Sequence, residues 1–169
     1  MSVRVMVLGL GNALNGDDGL GFYAIRDLAR EAWPEHVCFV HKTEFTWDPL
    51  FFEECRAVLL LDTVCRGNEP GTVYIYDHAE LQAHRECLRN PWILDAMAFS
   101  SLFGSELDTE FVGVEPECRE CRICMTASVS CMYSDFLQAA RTSIHRMLER
   151  IGSSNSFHPA ESGEKALAR

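Results

Sequence analysis

At 169 residues the chain is the size of one ordinary domain, and 47% hydrophobic against 24% charged residues is the balance of a globular protein able to bury a core. Its 25 acidic residues outnumber 15 lysines and arginines, leaving a net charge of −10; this argues against nucleic acid as a partner, since phosphate binding needs a basic surface, but suits a basic peptide. No apolar run approaches the ~20 residues of a membrane span, and Met1–Leu8 lacks the length and cleavage site of a signal peptide, so a cytoplasmic protein is expected.

Val3–Leu8 is a short β-branched run predicted as the first strand. From Leu20 the apolar residues change to helical spacing, with Phe22, Ile25, Leu28 and Ala29, and this helix should end near Glu31. His36–His41 reads as a second strand, and Pro49 fits the first turn of a short helix carrying Leu50, Phe51 and Phe52. Arg56–Asp62 is an unbroken apolar run closed by an acid, as expected of a strand buried on both faces. Ten residues separate Asp62 from Val73–Tyr76, too few for a helical crossover, so that strand is expected to pair antiparallel as a hairpin. Residues 77–89 are polar with weak helical character, 92–103 form a helix, and Glu110–Val114 is the last strand. Beyond a cysteine-rich loop at Glu115–Met125, Ser128–Ile151 carries Val129, Met132, Phe136, Ala140, Ile144 and Met147 at helical spacing. Residues 1–151 are therefore expected to form one α/β domain: a three-layer, mostly parallel five-stranded sheet with one antiparallel hairpin strand and helices on both faces. The polar stretch 152–169, without periodicity, is expected to be a disordered tail.

The chemistry concentrates between the first strand and helix, in Leu8-Gly9-Leu10-Gly11-Asn12-Ala13-Leu14-Asn15-Gly16-Asp17-Asp18-Gly19-Leu20-Gly21. A Gly-rich loop there suggests dinucleotide binding, but Leu14 stands where the fingerprint needs its third glycine, and two carboxylates would face the pyrophosphate. Two acids on a glycine loop suit a cation better; one of them can also be explained as a cap for the following helix. In doubly wound sheets ligands bind beyond the carboxyl ends of the strands, and Asp18, Asp62 and Glu115 all follow such ends, so acids distant in sequence should converge there.

The opening motif Gly9-x-Gly11-Asn12-x-Leu14-x-x-Asp17-Asp18-Gly19-x-Gly21 resembles that of the hydrogenase maturation endopeptidases, which trim the C-terminus of a [NiFe] hydrogenase large subunit. Leu61-Asp62-Thr63-Val64 with Pro70-Gly71, and Val112-Gly113-Val114-Glu115-Pro116, resemble that family's later strand ends, extending the resemblance over residues 3–151. It implies a nickel-dependent endopeptidase acting on the large-subunit precursor, with the nickel carried by that precursor and sensed by acids of the protease. Asp18 and Asp62 match two of the family's ligands and are the expected catalytic and metal-facing residues. The third, a histidine shortly before the helix that starts near Pro91, has no counterpart at Asn90, Pro91 or Trp92; His84 and Cys87 are the expected substitutes, with His78 next.

Cys118-x-x-Cys121-x-x-Cys124 with Cys131 could close a zinc site, hold an iron–sulfur cluster or remain reduced thiols in an exposed loop. Neither a G-x-S-x-G elbow nor an H-E-x-x-H motif occurs, so a protease of this kind would act without a nucleophilic serine or cysteine. A monomer is expected. The rival reading is a non-proteolytic metallochaperone or scaffold that binds the hydrogenase precursor.

Overall fold

The computed structural model describes residues 5–46, 48, 51–52, 54–102 and 107–154. Five strands, β1 (Val5–Leu10), β2 (Val37–Lys42), β3 (Ala57–Thr63), β4 (Val73–Asp77) and β5 (Asp108–Val114), build one sheet in the order β2-β1-β3-β5-β4. β2, β1, β3 and β5 run parallel and β4 runs antiparallel to β5. The helices are α1 (Leu20–Leu28), α2 (His78–Ala83), α3 (Trp92–Ser101) and α4 (Ala127–Ser154), with 3-10 turns at Gly16–Gly19 and Arg85–Cys87. This is the expected three-layer α/β architecture.

Alternation along the strands divides the core. Val5 and Val7 of β1, Leu59 and Leu61 of β3 and Val112 and Val114 of β5 pack with Leu20, Ala24 and Leu28 of α1 and with Phe136, Ala140 and Ile144 of α4. Met6, Leu8, Val58, Leu60 and Phe111 face the other way, toward Leu81 of α2 and Ile93, Leu94 and Met97 of α3. α1 lies so close to β1 that a Cβ at Gly9 would collide with the Gly21 carbonyl, and one at Gly21 with the backbone of Leu10. These two glycines therefore set the separation of helix and sheet.

The direction of β4 is as expected, but its partner is not. β5 lies between β3 and β4, pairing Leu61 with Val112 on one side and Ile75 with Val112 on the other, so β3 and β4 form no hairpin. The reason lies in the burial of the strands. β5 is buried at all but its first residue and needs neighbours along both edges, whereas β4 alternates between buried Tyr74 and Tyr76 and exposed Ile75 and Asp77, a pattern suited to the edge of the sheet.

The weakly helical 77–89 stretch contains the short α2 and the 3-10 turn at Arg85–Cys87; α2 is started by a capping box in which Asp77 accepts from the Glu80 N–H and the Glu80 side chain accepts from the Asp77 N–H. Of the stretch 152–169 expected to be a disordered tail, residues 152–154 instead continue α4, and 155–169 lie outside the described residues, as do Pro49 and Leu50 of the expected short helix.

Candidate active site at the carboxyl edge of the sheet

Three central strands, β1, β3 and β5, deliver their exits side by side, and the loops that follow them make the site. Gly11 turns the chain out of β1 with φ +112°, and a Cβ there would strike the Asp18 carbonyl, so the loop folds back against its own acids. The two adjacent acids then do different work. The buried Asp17 does not cap α1; it accepts hydrogen bonds from the N–H groups of Glu117 (2.9 Å), Cys118 (2.9 Å) and Thr126 (2.7 Å), and from the Thr126 hydroxyl (3.0 Å). Backbone bonds from Gly16 to the Arg122 carbonyl and from Arg122 to the Leu14 carbonyl complete the attachment. Asp17 is thus the anchor of the cysteine-rich loop.

Asp18, 2% exposed, is the acid left for the site. Its Oδ2 accepts from the Asn12 N–H at 3.0 Å and forms an ion pair with the Arg89 guanidinium, while Oδ1 has no hydrogen-bond partner among the described residues. Arg89 reaches it because the chain before α3 lies along the exit of β3: Val64 bridges Leu88, and Cys65 N–H donates to the Cys87 carbonyl.

Asp62, 3% exposed, lies one residue before the end of β3. Its Oδ1 accepts from the N–H of Thr63 at 2.7 Å. Burial pushes its carboxyl up from 3.8 to about 7, against the opposing pull of the Thr63 N–H and of Arg119. Arg119, from the cysteine-rich loop, also acts electrostatically on Arg89, holding that guanidinium below its ordinary value together with the larger effect of burial. Two acids and two guanidiniums therefore share this edge.

Other candidate residues sit elsewhere. Glu115 follows β5 as expected, but its carboxylate is taken up by the N–H groups of Arg66 and Gly67 and by the Tyr74 hydroxyl at 2.9 Å, which fixes the turn after β3. The His84 ring lies against Tyr76, on the edge strand β4, with centroids 5.3 Å apart. Cys87 packs against the core on the α3 side. Among the described residues no three His, Cys, Asp or Glu side chains come together to hold a metal ion. Asp18 and Asp62 therefore do not form such a set with His84 or Cys87, and a guanidinium, not an imidazole or thiolate, stands against Asp18. Cys118, Cys121, Cys124 and Cys131 likewise are not gathered into such a set and are in no disulfide, the first held in the loop that Asp17 anchors and the last exposed on α4.

Arg89 and Arg119 carry no motif and were not legible as site residues. A third omission is His41, at the end of β2, whose Nε2 lies 2.8 Å from the Gly11 carbonyl and whose ring meets Phe22 edge-on. Its strand position gave no sign of that contact.

No protein-family model matches the chain. The hydrogenase expression/formation protein HupD of Rhodobacter capsulatus is 33% identical over 107 residues, which are 60% of this chain and 51% of HupD, so the match spans about half of that relative. Among solved structures, the hydrogenase maturating endopeptidase HybD from E. coli superposes with a TM-score of 0.71 at 22% identity, covering 85% of this chain and 93% of HybD. The [NiFe] hydrogenase maturation protease HybD from Thermococcus kodakarensis gives a TM-score of 0.62 at 21% identity over 82% of this chain and 97% of that one. With its strand order, its one antiparallel edge strand and its acidic loops at the carboxyl edge, the chain has the hydrogenase maturation protease fold.

Proposed function

We propose that the protein is an endopeptidase that removes the C-terminal peptide of a [NiFe] hydrogenase large-subunit precursor, acting as a cytoplasmic monomer on a precursor that already carries nickel. The observation that carries this reading is the pairing of a hydrogenase maturation protease fold with two buried acids, Asp18 and Asp62, at neighbouring strand exits. No described helix is long and apolar enough to cross a membrane, which agrees with a precursor met in the aqueous compartment.

Asp62 and Asp18 divide the chemistry. A carboxyl near 7 is half ionised at neutral pH, so Asp62 can take a proton from an attacking water and return it to the leaving amine. Asp18 is the acid that faces the nickel of the precursor. No serine or cysteine nucleophile is required, because general-base activation of water supplies the attacking group.

Co-expression with candidate large subunits, with and without nickel, followed by intact-mass measurement of the subunit, tests the reading. Loss of a short C-terminal tail only with nickel, abolished by Asp62→Asn, is the expected result. Unchanged precursor bound stoichiometrically would establish the scaffold or metallochaperone role instead. Tail loss from nickel-free precursor would remove the metal-facing role of Asp18 while leaving the protease.

A further inference from the structure

The Asp18 carboxylate is a buried anion with one oxygen serving Asn12 and Arg89 and the other free of hydrogen bonds among the described residues. A carboxylate so enclosed stays ionised only beside a positive partner, since an unpaired buried charge is strongly unfavourable and takes up a proton instead. The chain supplies that partner itself. Arg89 comes from the segment fixed to the exit of β3 by the Val64–Leu88 bridge and the Cys65–Cys87 backbone bond, so its guanidinium is tethered over the acid. A metal ion at this acid would lie beside the guanidinium, so the two positive charges would compete for one carboxylate. Arginine, unlike histidine or cysteine, has no lone pair to donate to a metal and does not vacate the site by losing a proton.

We propose that Arg89 is the residue that sets the metal specificity of the site: as a tethered cation it closes Asp18 to free divalent ions, so that only a metal centre presented by a docked partner gains the acid, by displacing the guanidinium. The proposal rests on Asp18 being the metal-facing acid of the function proposed above. Arg119 adds to the same exclusion, since its positive charge lies close enough to act on both Arg89 and Asp62. A free aqueous cation is therefore opposed by the charge of two guanidiniums at the same edge as the two acids. A docked precursor can offset that barrier with its own binding contacts, whereas a lone ion has none.

The test is nickel binding to the isolated full chain by equilibrium dialysis, with no precursor present. Four proteins are compared: the natural chain, Asp18→Asn, Arg89→Gln and the Arg89→Gln/Asp18→Asn double variant. Thiol contributions cancel within each pair differing only at Asp18. Asp18→Asn should leave nickel affinity of the Arg89-bearing chain essentially unchanged, yet weaken that of the Arg89→Gln chain about tenfold or more, a coupling of ~1.4 kcal/mol. Equal effects of Asp18→Asn in both backgrounds, large or small, would overturn the proposal. Circular dichroism confirms that each variant is folded; should Arg89→Gln not fold, Arg89→Leu, which likewise brings neither charge nor metal donor, provides the same comparison. Because no peptide is cleaved in this measurement, failure of the endopeptidase reading and failure of the Arg89 proposal are separate results.

Discussion

Adjacent residues of the same type can have opposite duties, and Asp17 and Asp18 are such a pair. Asp17 satisfies three backbone N–H groups of the 117–126 segment, so Asp17→Ala should lower stability by on the order of 3 kcal/mol and release that loop. Urea denaturation gives the first effect, and faster proteolytic cleavage within 117–126 gives the second. Asp62 makes a pH-dependent contribution whose sign follows from its burial. Its carboxyl is raised from 3.8 to about 7, so between those values the folded protein keeps a proton that the unfolded chain has released. The contribution is full below about 4 and is lost as pH rises through about 7. Relative to Asp62→Asn, the natural protein should thus lose stability over that interval and level off above it. Urea midpoints of both proteins across the interval measure this, and parallel curves would contradict the raised carboxyl. A catalytic role for Asp62 as base adds a rise of peptidase activity through the same pH region.

Among the elements, α4 is held to the sheet by charge as well as by its apolar face. Glu110 of β5 receives Arg146 Nε at 2.9 Å and Arg150 Nη2 at 2.7 Å. Burial acts upward on its carboxyl, but the bonds from Arg146, Arg150 and Ser143 outweigh it and hold the group below its ordinary value. The resulting stabilisation is present at neutral pH and is lost as pH falls below about 4.5, in the opposite sense to Asp62. Glu110→Ala should cost about 1–2 kcal/mol at pH 7, a modest figure because the two arginines are partly exposed and can return to water. Its difference from the natural protein should shrink in acid, as denaturation at the two pH values will read. The element that departs from expectation is β4. A short link between strands restricts the route of the chain but does not decide which strand fills the gap. That was decided by β5, buried at all but its first residue and so needing a neighbour along both edges, while β4 alternates between buried and exposed residues.

For the whole molecule, the sequence by itself determined the alternation of strands and helices, the two apolar faces of the sheet and the carboxyl edge as the place where Asp18 and Asp62 emerge. Each of these is a local property: apolar period, glycine-rich turns and an acid at a strand end are written in consecutive residues. The strand order beyond β3 is not local. It depends on competition between β4 and β5 for one edge, and that is settled only when all the buried surfaces are present together. The division between Asp17 and Asp18 also waits on the tertiary structure, because the groups that claim Asp17 lie about a hundred residues away, at Glu117, Cys118 and Thr126. Arg89 was hidden for the same reason. Its ion pair with Asp18 exists because residues 87–88 lie along the exit of β3, while His84 and Cys87, better donors by residue type, end against Tyr76 and the core. Residue type and spacing limit which chemistry a site can perform; which side chain reaches it is fixed by backbone pairing between segments far apart in the chain.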